Sequence, residues 1–442
     1  MTTYQDEKIA PKDTEVMTIG PAKINNPINF GRFVEDDEAV LVNISRRNVD
    51  GSSRSKKTPD HVYFEPAGPR DKIYYDASKT KCAVVTCGGL CPGLNDVIRA
   101  IVMTAHHEYK VTTVFGIQYG LAGFIPEQGY DVIELTPEYV SSIHEFGGTV
   151  LGSSRGPQEP EAIVDALERL NVGILFMIGG DGTMRAASKI VTEIGKRELS
   201  ISVVGLPKTI DNDINYASPS FGFDTSVETA AMAIKGAHVE ATGAPWGIGL
   251  VKVMGREAGY IAAQSALSCQ EVNFCLIPEE PFDIHGENGF LAALDKRMKR
   301  SGNAVIVVAE GAGQELLEKT QRKDASGNIK LSDIAALLKQ EILAHFKDQG
   351  IEATLKYIDP SYIIRSVPAN ANDRIYCSFL GINAVHAGMT GRTGLVISRW
   401  NGRYVHIPIE LVTRGKKRIN THSNYWRAVL ESTGQPGSMK NE

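Results

Sequence analysis

The chain has 442 residues and a formal net charge of −5, which allows about two to three domains and gives no global attraction to nucleic acid or an anionic membrane. Its 42% hydrophobic content and 43 glycines suit a soluble α/β enzyme. Residues 1–16 are too polar for a secretory signal, and no apolar run approaches the roughly 20 residues that span a bilayer. Six scattered cysteines include Cys87 and Cys91, but no second pair or histidine completes a zinc set, so they read as reduced cytoplasmic thiols.

Residues 1–80 are polar and irregular, acidic at 33–40 and basic at 54–58, and read as an N-terminal arm lying on the body or on a neighbour. An apolar strand is predicted at 81–87, then a glycine turn at 88–93 and a helix at 95–106, an arrangement that often cradles anions. A strand at 111–117, the string GSSRG at 152–156 and a helix at 160–170 follow. The centre of the chain is a strand at 174–178, the string GGDGT at 179–183, a helix with Ala186, Ala187, Ile190, Val191 and Ile194 on one face, a strand at 201–206, and PKTIDND at 207–213. This is a βαβ unit, so both loops leave the carboxyl ends of neighbouring strands and face one crevice. Lys208, Asp181, Asp211 and Asp213 would meet there. Acids and a lysine are costly to keep at strand ends without a ligand, and this set suits a phosphoryl donor, a divalent metal and a general base.

A second α/β series has strands predicted at 247–254, 272–277, 304–309 and 353–358. Its helices fall near 226–239, 255–266, 287–300 and 331–347, with a polar excursion at 314–328. A helix at 371–387 and a hairpin around Asn401-Gly402 come next. The tail from 414 is basic, then polar, with no apolar periodicity of its own. The expected fold is α/β: two Rossmann-like three-layer domains with a cleft between them, plus an arm at 1–80 and a C-terminal extension at 414–442. The first domain covers 81–220 and is completed by about 366–413; the second covers 221–365.

Seven motifs occur in one order: Gly88-Gly89, Arg155 in GSSRG, GGDGT, PKTIDND, Met254-Gly255-Arg256, Glu310, and Tyr362-Ile363-Ile364-Arg365. From about residue 81 to 418 this series resembles 6-phosphofructokinase, and most of all the long ATP-dependent subgroup of plants, trypanosomatids and some bacteria. The resemblance implies an allosteric homodimer or homotetramer in the cytoplasm. It would phosphorylate fructose 6-phosphate to fructose 1,6-bisphosphate with ATP and Mg²⁺, the committing step of glycolysis. The first domain would bind nucleotide and the second the sugar phosphate. Gly89, Arg155, Gly156, Gly180, Asp181, Gly182, Thr183 and Lys208 would hold the donor, with Asp181 toward the metal. Asp211 would accept the proton of the sugar hydroxyl, with Thr209 and Arg256 in the same machinery. Thr209, Ile210, Asp211, Met254, Gly255, Arg256, Glu310, Lys356, Tyr362, Ile363, Ile364 and Arg365 would contact fructose 6-phosphate. Asp213 would support the metal or orient the loop.

Pyrophosphate-dependent relatives carry an aspartate at the position of Gly182, where an α-phosphate would pass. Glycine leaves that path open, so ATP is the expected donor, although Lys208 resembles the lysine of the pyrophosphate enzymes. The alternative is a pyrophosphate-dependent phosphotransferase. A catalytically silent subunit is disfavoured by intact Asp181, Asp211, Arg155, Arg256 and Glu310. A NAD- or lipid-kinase-like enzyme has no need of PKTIDND, MGR and YIIR together, and a dehydrogenase fits poorly because residues 88–93 lack G-x-G-x-x-G. Short bacterial enzymes place a histidine at Tyr362, an arginine at Lys356, and an arginine near Gly247 that reaches a neighbour's site. Gly247 cannot supply that charge.

Overall fold

The computed structural model describes residues 9–44, 62–217, 219–318 and 329–441. The basic stretch at 54–58 and most of the polar excursion at 314–328 lie outside the described residues. Two short strands, Val40–Leu41 (β1) and Tyr63–Pro66 (β2), precede the alternating series. That series runs Lys81–Thr86 (β3), Leu94–His107 (α1), Thr113–Ile117 (β4), Val132–Glu134 (β5), Pro160–Leu170 (α2), Val172–Gly179 (β6), Asp181–Lys196 (α3) and Ser202–Pro207 (β7). A second series follows: Phe223–Thr242 (α4), Gly247–Val253 (β8), Tyr260–Cys269 (α5), Phe274–Leu276 (β9), Phe290–Ser301 (α6), Asn303–Ala309 (β10), Ile334–Asp348 (α7) and Thr354–Ile358 (β11). The chain then returns through Ala371–Met389 (α8), Leu395–Trp400 (β12) and Arg403–Pro408 (β13), and ends with Asn424–Thr433 (α9).

The larger sheet has nine strands in the order β1-β2-β13-β12-β7-β6-β3-β4-β5, parallel from β12 to β4 and antiparallel at both margins. The smaller sheet is parallel throughout, in the order β9-β10-β8-β11. β3 and β6 are apolar and buried along nearly their whole length, as parallel strands covered on both faces must be. Alternate residues serve opposite layers. Cys82, Val84, Phe176 and Ile178 join a core with α1 and α8, while Ala83, Val85, Leu175 and Met177 join one with α2 and α3. Ile248, Leu250, Ile306 and Val308 pack with Leu294, Met298, Leu338 and Phe346 from α6 and α7. The expected two-domain α/β architecture is therefore present.

The described residues of the arm, 9–44 and 62–80, pack on their own chain. β2 extends the large sheet, Met17–Thr18 pairs with Arg392–Thr393, and Ile24–Asn25 pairs with Lys72–Ile73. Glu65 on β2 fixes this attachment: its carboxylate accepts from Arg70 at 3.0 Å, from buried His406 at 3.0 Å, and from Arg392. Burial alone would raise the Glu65 pKa, but His406 and Arg392 outweigh it and hold the carboxyl well below its usual range.

The structure also corrects the reading of the tail, where α9 buries Trp426 and Val429. Ten residues give too few inward positions to register as a period. Helices α6 and α7 begin three residues later than the sequence predicts, because Gly289 and Asp333 stand at their N-caps. The Asp333 carboxylate accepts from the backbone of Ala335 at 3.2 Å.

Candidate active site

The site begins where β6 and β7 end side by side. Their register pairs Ser202 with Ile174 and Pro207 with Gly179, so the two following loops start at one level. The Lys208 N–H donates to the Gly179 carbonyl at 2.9 Å. From there the buried Lys208 side chain crosses under the first glycine turn and donates to the Gly89 carbonyl at 2.6 Å. Burial pushes its pKa down, partly offset by the nearby Cys91, Cys87 and Asp211.

Gly88 has φ +85°, a conformation open to glycine, and a Cβ there would lie 3.5 Å from the Lys208 ammonium. A Cβ on Gly89 would lie 3.4 Å from Arg155 Nη2 and 3.6 Å from Arg365 Nη1. Three cationic side chains from three separate loops thus surround one bare stretch of backbone. The Arg365 guanidinium lies over the Tyr362 ring, 4.8 Å from its centroid.

Beside this turn, α3 starts at Asp181 with Gly180 as N-cap, so its first N–H groups and dipole face the same space. Gly179 is required by packing, since a Cβ there would meet Thr183 Oγ1 at 2.2 Å. Gly182 differs: nothing lies within 4 Å of its Cβ position. Asp181 keeps 27% of its side chain exposed and accepts from Arg185 Nε at 3.1 Å.

The Thr209–Asp213 loop is braced internally. Thr209 Oγ1 accepts from the Asp211 N–H at 3.1 Å and donates to Asp213 Oδ1 at 2.9 Å. Asp213 is thereby tied to Asp211 through Thr209. Asn212 between them takes φ +55°. Asp211 Oδ1 is buried and has no hydrogen-bond partner among the described residues. Burial first, then the like charges of Asp213 and Glu310, push the Asp211 pKa well above the ordinary carboxylate range, against the Arg256 backbone N–H. A carboxylate with an unmatched buried oxygen, facing an anion cradle, is equipped to take a proton.

The second series supplies the opposite wall from the carboxyl ends of β8 and β10. Gly255 has φ +132°, and its carbonyl accepts from Gly311 at 3.1 Å, while Glu310 N–H donates to Val253 at 2.9 Å. A Cβ on Gly311 would lie 1.9 Å from the Arg256 carbonyl, so the two turns are locked backbone to backbone. Met254, Arg256 and Glu310 are thereby presented together. The Arg256 guanidinium donates to the Ile329 carbonyl. Burial raises the Glu310 pKa, with Arg256 opposing.

Other predicted contacts are placed differently. Ile210 and Ile364 are core residues, the latter fully buried with its carbonyl accepting from Ser226 at 2.8 Å. They shape their loops rather than offer side chains. Ile363 is exposed, Tyr362 is 76% exposed, and Gly156 lies at the surface with φ +112°. Lys356 does not join the cleft within this chain. It sits along β11, with its ammonium 3.9 Å from Glu240 near the end of α4 remote from Phe221 and Lys208. A helix of 20 residues spans roughly 30 Å. At Gly247 a Cβ would lie 2.0 Å from the Ala241 carbonyl, so close strand-helix packing forbids any side chain there. Sequence reading missed Lys417, whose buried ammonium donates to Asn212 Oδ1 at 2.6 Å. A basic run at 416–418 was its only signal.

Among the described residues no helix is long and apolar enough to cross a membrane, and all six cysteines are free and buried. Two α/β units with a cleft between them, cations gathered around a glycine turn and a buried carboxylate of raised pKa define a two-domain α/β phosphotransferase. The phosphofructokinase family model matches residues 81–388, and the chain belongs to that family. It is 49% identical to an ATP-dependent 6-phosphofructokinase of Borreliella burgdorferi over 443 residues, covering 97% of this chain and 98% of that one. It is 46% identical to ATP-dependent 6-phosphofructokinase 1 of Arabidopsis thaliana, over 92% of this chain and 85% of the relative. The enzyme of that name from Trypanosoma brucei brucei is 42% identical, over 92% and 83%. Among solved structures, a pyrophosphate-dependent phosphofructokinase from Marinobacter aquaeolei superposes with a TM-score of 0.66 at 21% identity, covering 80% of this chain and 91% of that one. Phosphofructokinase from Saccharomyces cerevisiae gives 0.61 at 23% identity, over 80% and 48%. These two likenesses concern the fold alone.

Proposed function

We propose that this chain transfers the γ-phosphoryl group of ATP to the 1-hydroxyl of fructose 6-phosphate, forming fructose 1,6-bisphosphate and ADP in the committing step of glycolysis. The observation that carries the reading is the meeting of Lys208, Arg155 and Arg365 around Gly88-Gly89, beside a buried carboxylate with one unmatched oxygen. Three high-identity relatives named as ATP-dependent enzymes support it.

In this reading Asp211 accepts the proton of the sugar hydroxyl as its oxygen bonds to the γ-phosphorus and the bond to the β-phosphate oxygen breaks. Its raised pKa brings it toward the range where a base works near neutral pH. Lys208 and Arg155 offset charge gathering on the phosphates, and the first N–H groups of α3 add a fixed dipole. Arg256 and Glu310 hold the sugar from the opposite wall, and Arg365 stands where donor and sugar meet. Thr209 and Asp213 keep Asp211 aimed.

Gly182 supports ATP over pyrophosphate, because the space beside it is open to the nucleotide. Among the described residues no three acidic, histidine or cysteine side chains gather into a metal cage. A single part-exposed carboxylate, Asp181, fits Mg²⁺, which binds through one or two carboxylates and substrate phosphates. Bound there, the ion would neutralise phosphate charge. The same reading places the protein in the cytoplasm as a homodimer or homotetramer.

A coupled assay tests the reaction: fructose 6-phosphate, ATP and Mg²⁺ together are expected to yield ADP and fructose 1,6-bisphosphate. No turnover above an enzyme-free control would contradict it.

A further inference from the structure

We infer that Lys417 is a positioning residue for the Asp211 loop, and that residues 416–419 form a strap tying this loop to the turn that carries Arg256. The inference rests on the kinase reading above for the role of Asp211, but its geometry stands independently. Lys417 is 4% exposed. Its ammonium donates to Asn212 Oδ1 at 2.6 Å and to the Ala217 carbonyl at 2.7 Å, and lies 5.2 Å from the centre of the Tyr260 ring. Its backbone N–H donates to the Asp213 carbonyl at 2.9 Å, and Lys416 bridges Ile214 in antiparallel register. One side of Lys417 therefore grips the two residues that follow Asp211.

The other side of the strap belongs to the second unit. Lys416 meets Glu257 at 2.6 Å and Arg418 meets it at 3.3 Å, directly beside Arg256. Tyr260 Oη donates to the Arg418 carbonyl at 2.8 Å. The Ile419 N–H donates at 2.8 Å to Glu279, which also accepts from Gly259 at the start of α5. The strap thus holds both walls of the cleft, and it lies beyond the residues matched by the family model.

Two features set this contact apart from ordinary packing. A buried ammonium held by neutral oxygens and an aromatic face is costly to retain, and burial pushes the Lys417 pKa down to about 7 while the nearby Asp213 opposes. Its principal side-chain acceptor, Asn212, has the left-handed backbone of φ +55° that turns the chain between Asp211 and Asp213. The Asn212 amide oxygen also accepts from Ser220 N–H at 3.1 Å, so Lys417 completes a bracket on that turn. Without the ammonium, Asn212 and Asp211 would sample other orientations while the phosphate cradle stays in place.

The test compares the full-length wild type with Lys417→Met, which keeps the apolar stem and removes the donors. The expected result is a kcat lower by about 10- to 100-fold, KM for both substrates within about twofold, and faster amide hydrogen exchange over residues 209–217. Near-native kcat with unchanged exchange would overturn the inference. So would a loss confined to KM. If Lys417→Met does not fold, the double variant Lys416→Ala/Arg418→Ala replaces it. That variant cuts the strap from Glu257 and is expected to speed exchange over 209–217 and lower kcat about 3- to 10-fold; unchanged values of both would overturn the inference. Wild-type protein with no fructose 6-phosphate kinase activity would sink the functional reading, while the exchange result would still decide the strap.

Discussion

Asp211 is a carboxylate whose surroundings disfavour its charge: burial first, then Asp213 and Glu310. Substituting Asp211→Asn keeps the shape and removes proton acceptance. Turnover should fall by about 10² to 10⁴, the usual worth of a positioned base, with much less change in KM for fructose 6-phosphate. Steady-state kinetics on the folded variant checks this, and near-native turnover would refute the assignment. The pH dependence has a defined sign. Asp213→Asn removes a negative charge that raises the Asp211 pKa, so that pKa should fall and the base should stay ionised in more acidic solution. The acid limb of kcat/KM is therefore expected at lower pH than in wild type, and an upward shift would contradict the electrostatic account. The sequence placed Asp211 and Asp213 in the crevice because a βαβ unit places its loops by rule, and Thr209 joined them through the family resemblance. It did not reveal the unmatched Asp211 Oδ1, or that the Asn212 side chain is held by Ser220 and by Lys417, the latter 205 residues further along the chain.

At the scale of elements, the site loops of both units turn on residues that have almost no side-chain volume. Gly88, Gly89, Gly179, Gly255 and Gly311 allow close approach, and Arg155, Lys208, Arg256, Glu310 and Arg365 supply charge around them. The βα alternation was legible because its buried strands are continuous apolar runs with glycine-rich ends. Less legible was which loops cross the cleft. Arg365 follows the second series in sequence, yet its guanidinium reaches Gly89 in the first. Arg365→Ala should cost about 2–5 kcal/mol of binding to a desolvated phosphate. It should raise KM for fructose 6-phosphate more than KM for ATP. Equal increases in both, with normal folding, would place Arg365 elsewhere than on the sugar phosphate. A motif match says nothing of strand facing: within this chain the Lys356 ammonium on β11 lies 3.9 Å from Glu240.

For the whole molecule, the described residues of the arm are part of the body. Glu65 joins β2 to β13 and to Arg392 by accepting from three basic side chains, a long-range contact that polar composition in residues 1–80 does not disclose. Glu65→Gln would leave two guanidiniums without their anion. It should lower stability by about 3 kcal/mol, read as a drop in melting temperature of several degrees at neutral pH. Because the folded Glu65 pKa is depressed, the stabilisation is present above the unfolded pKa and disappears as pH falls through the folded one. The gap between wild type and variant should therefore narrow in strong acid, and a constant gap would contradict the ion-pair account. In the proposed reaction this cleft takes a nucleotide as donor because Gly182 leaves its path open. The most direct measurement is kcat/KM of the wild-type enzyme for ATP and for pyrophosphate, at saturating fructose 6-phosphate and Mg²⁺, with Gly182→Asp alongside. The account predicts a much larger value with ATP and a sharp loss of ATP turnover in the variant. A larger value with pyrophosphate would contradict it.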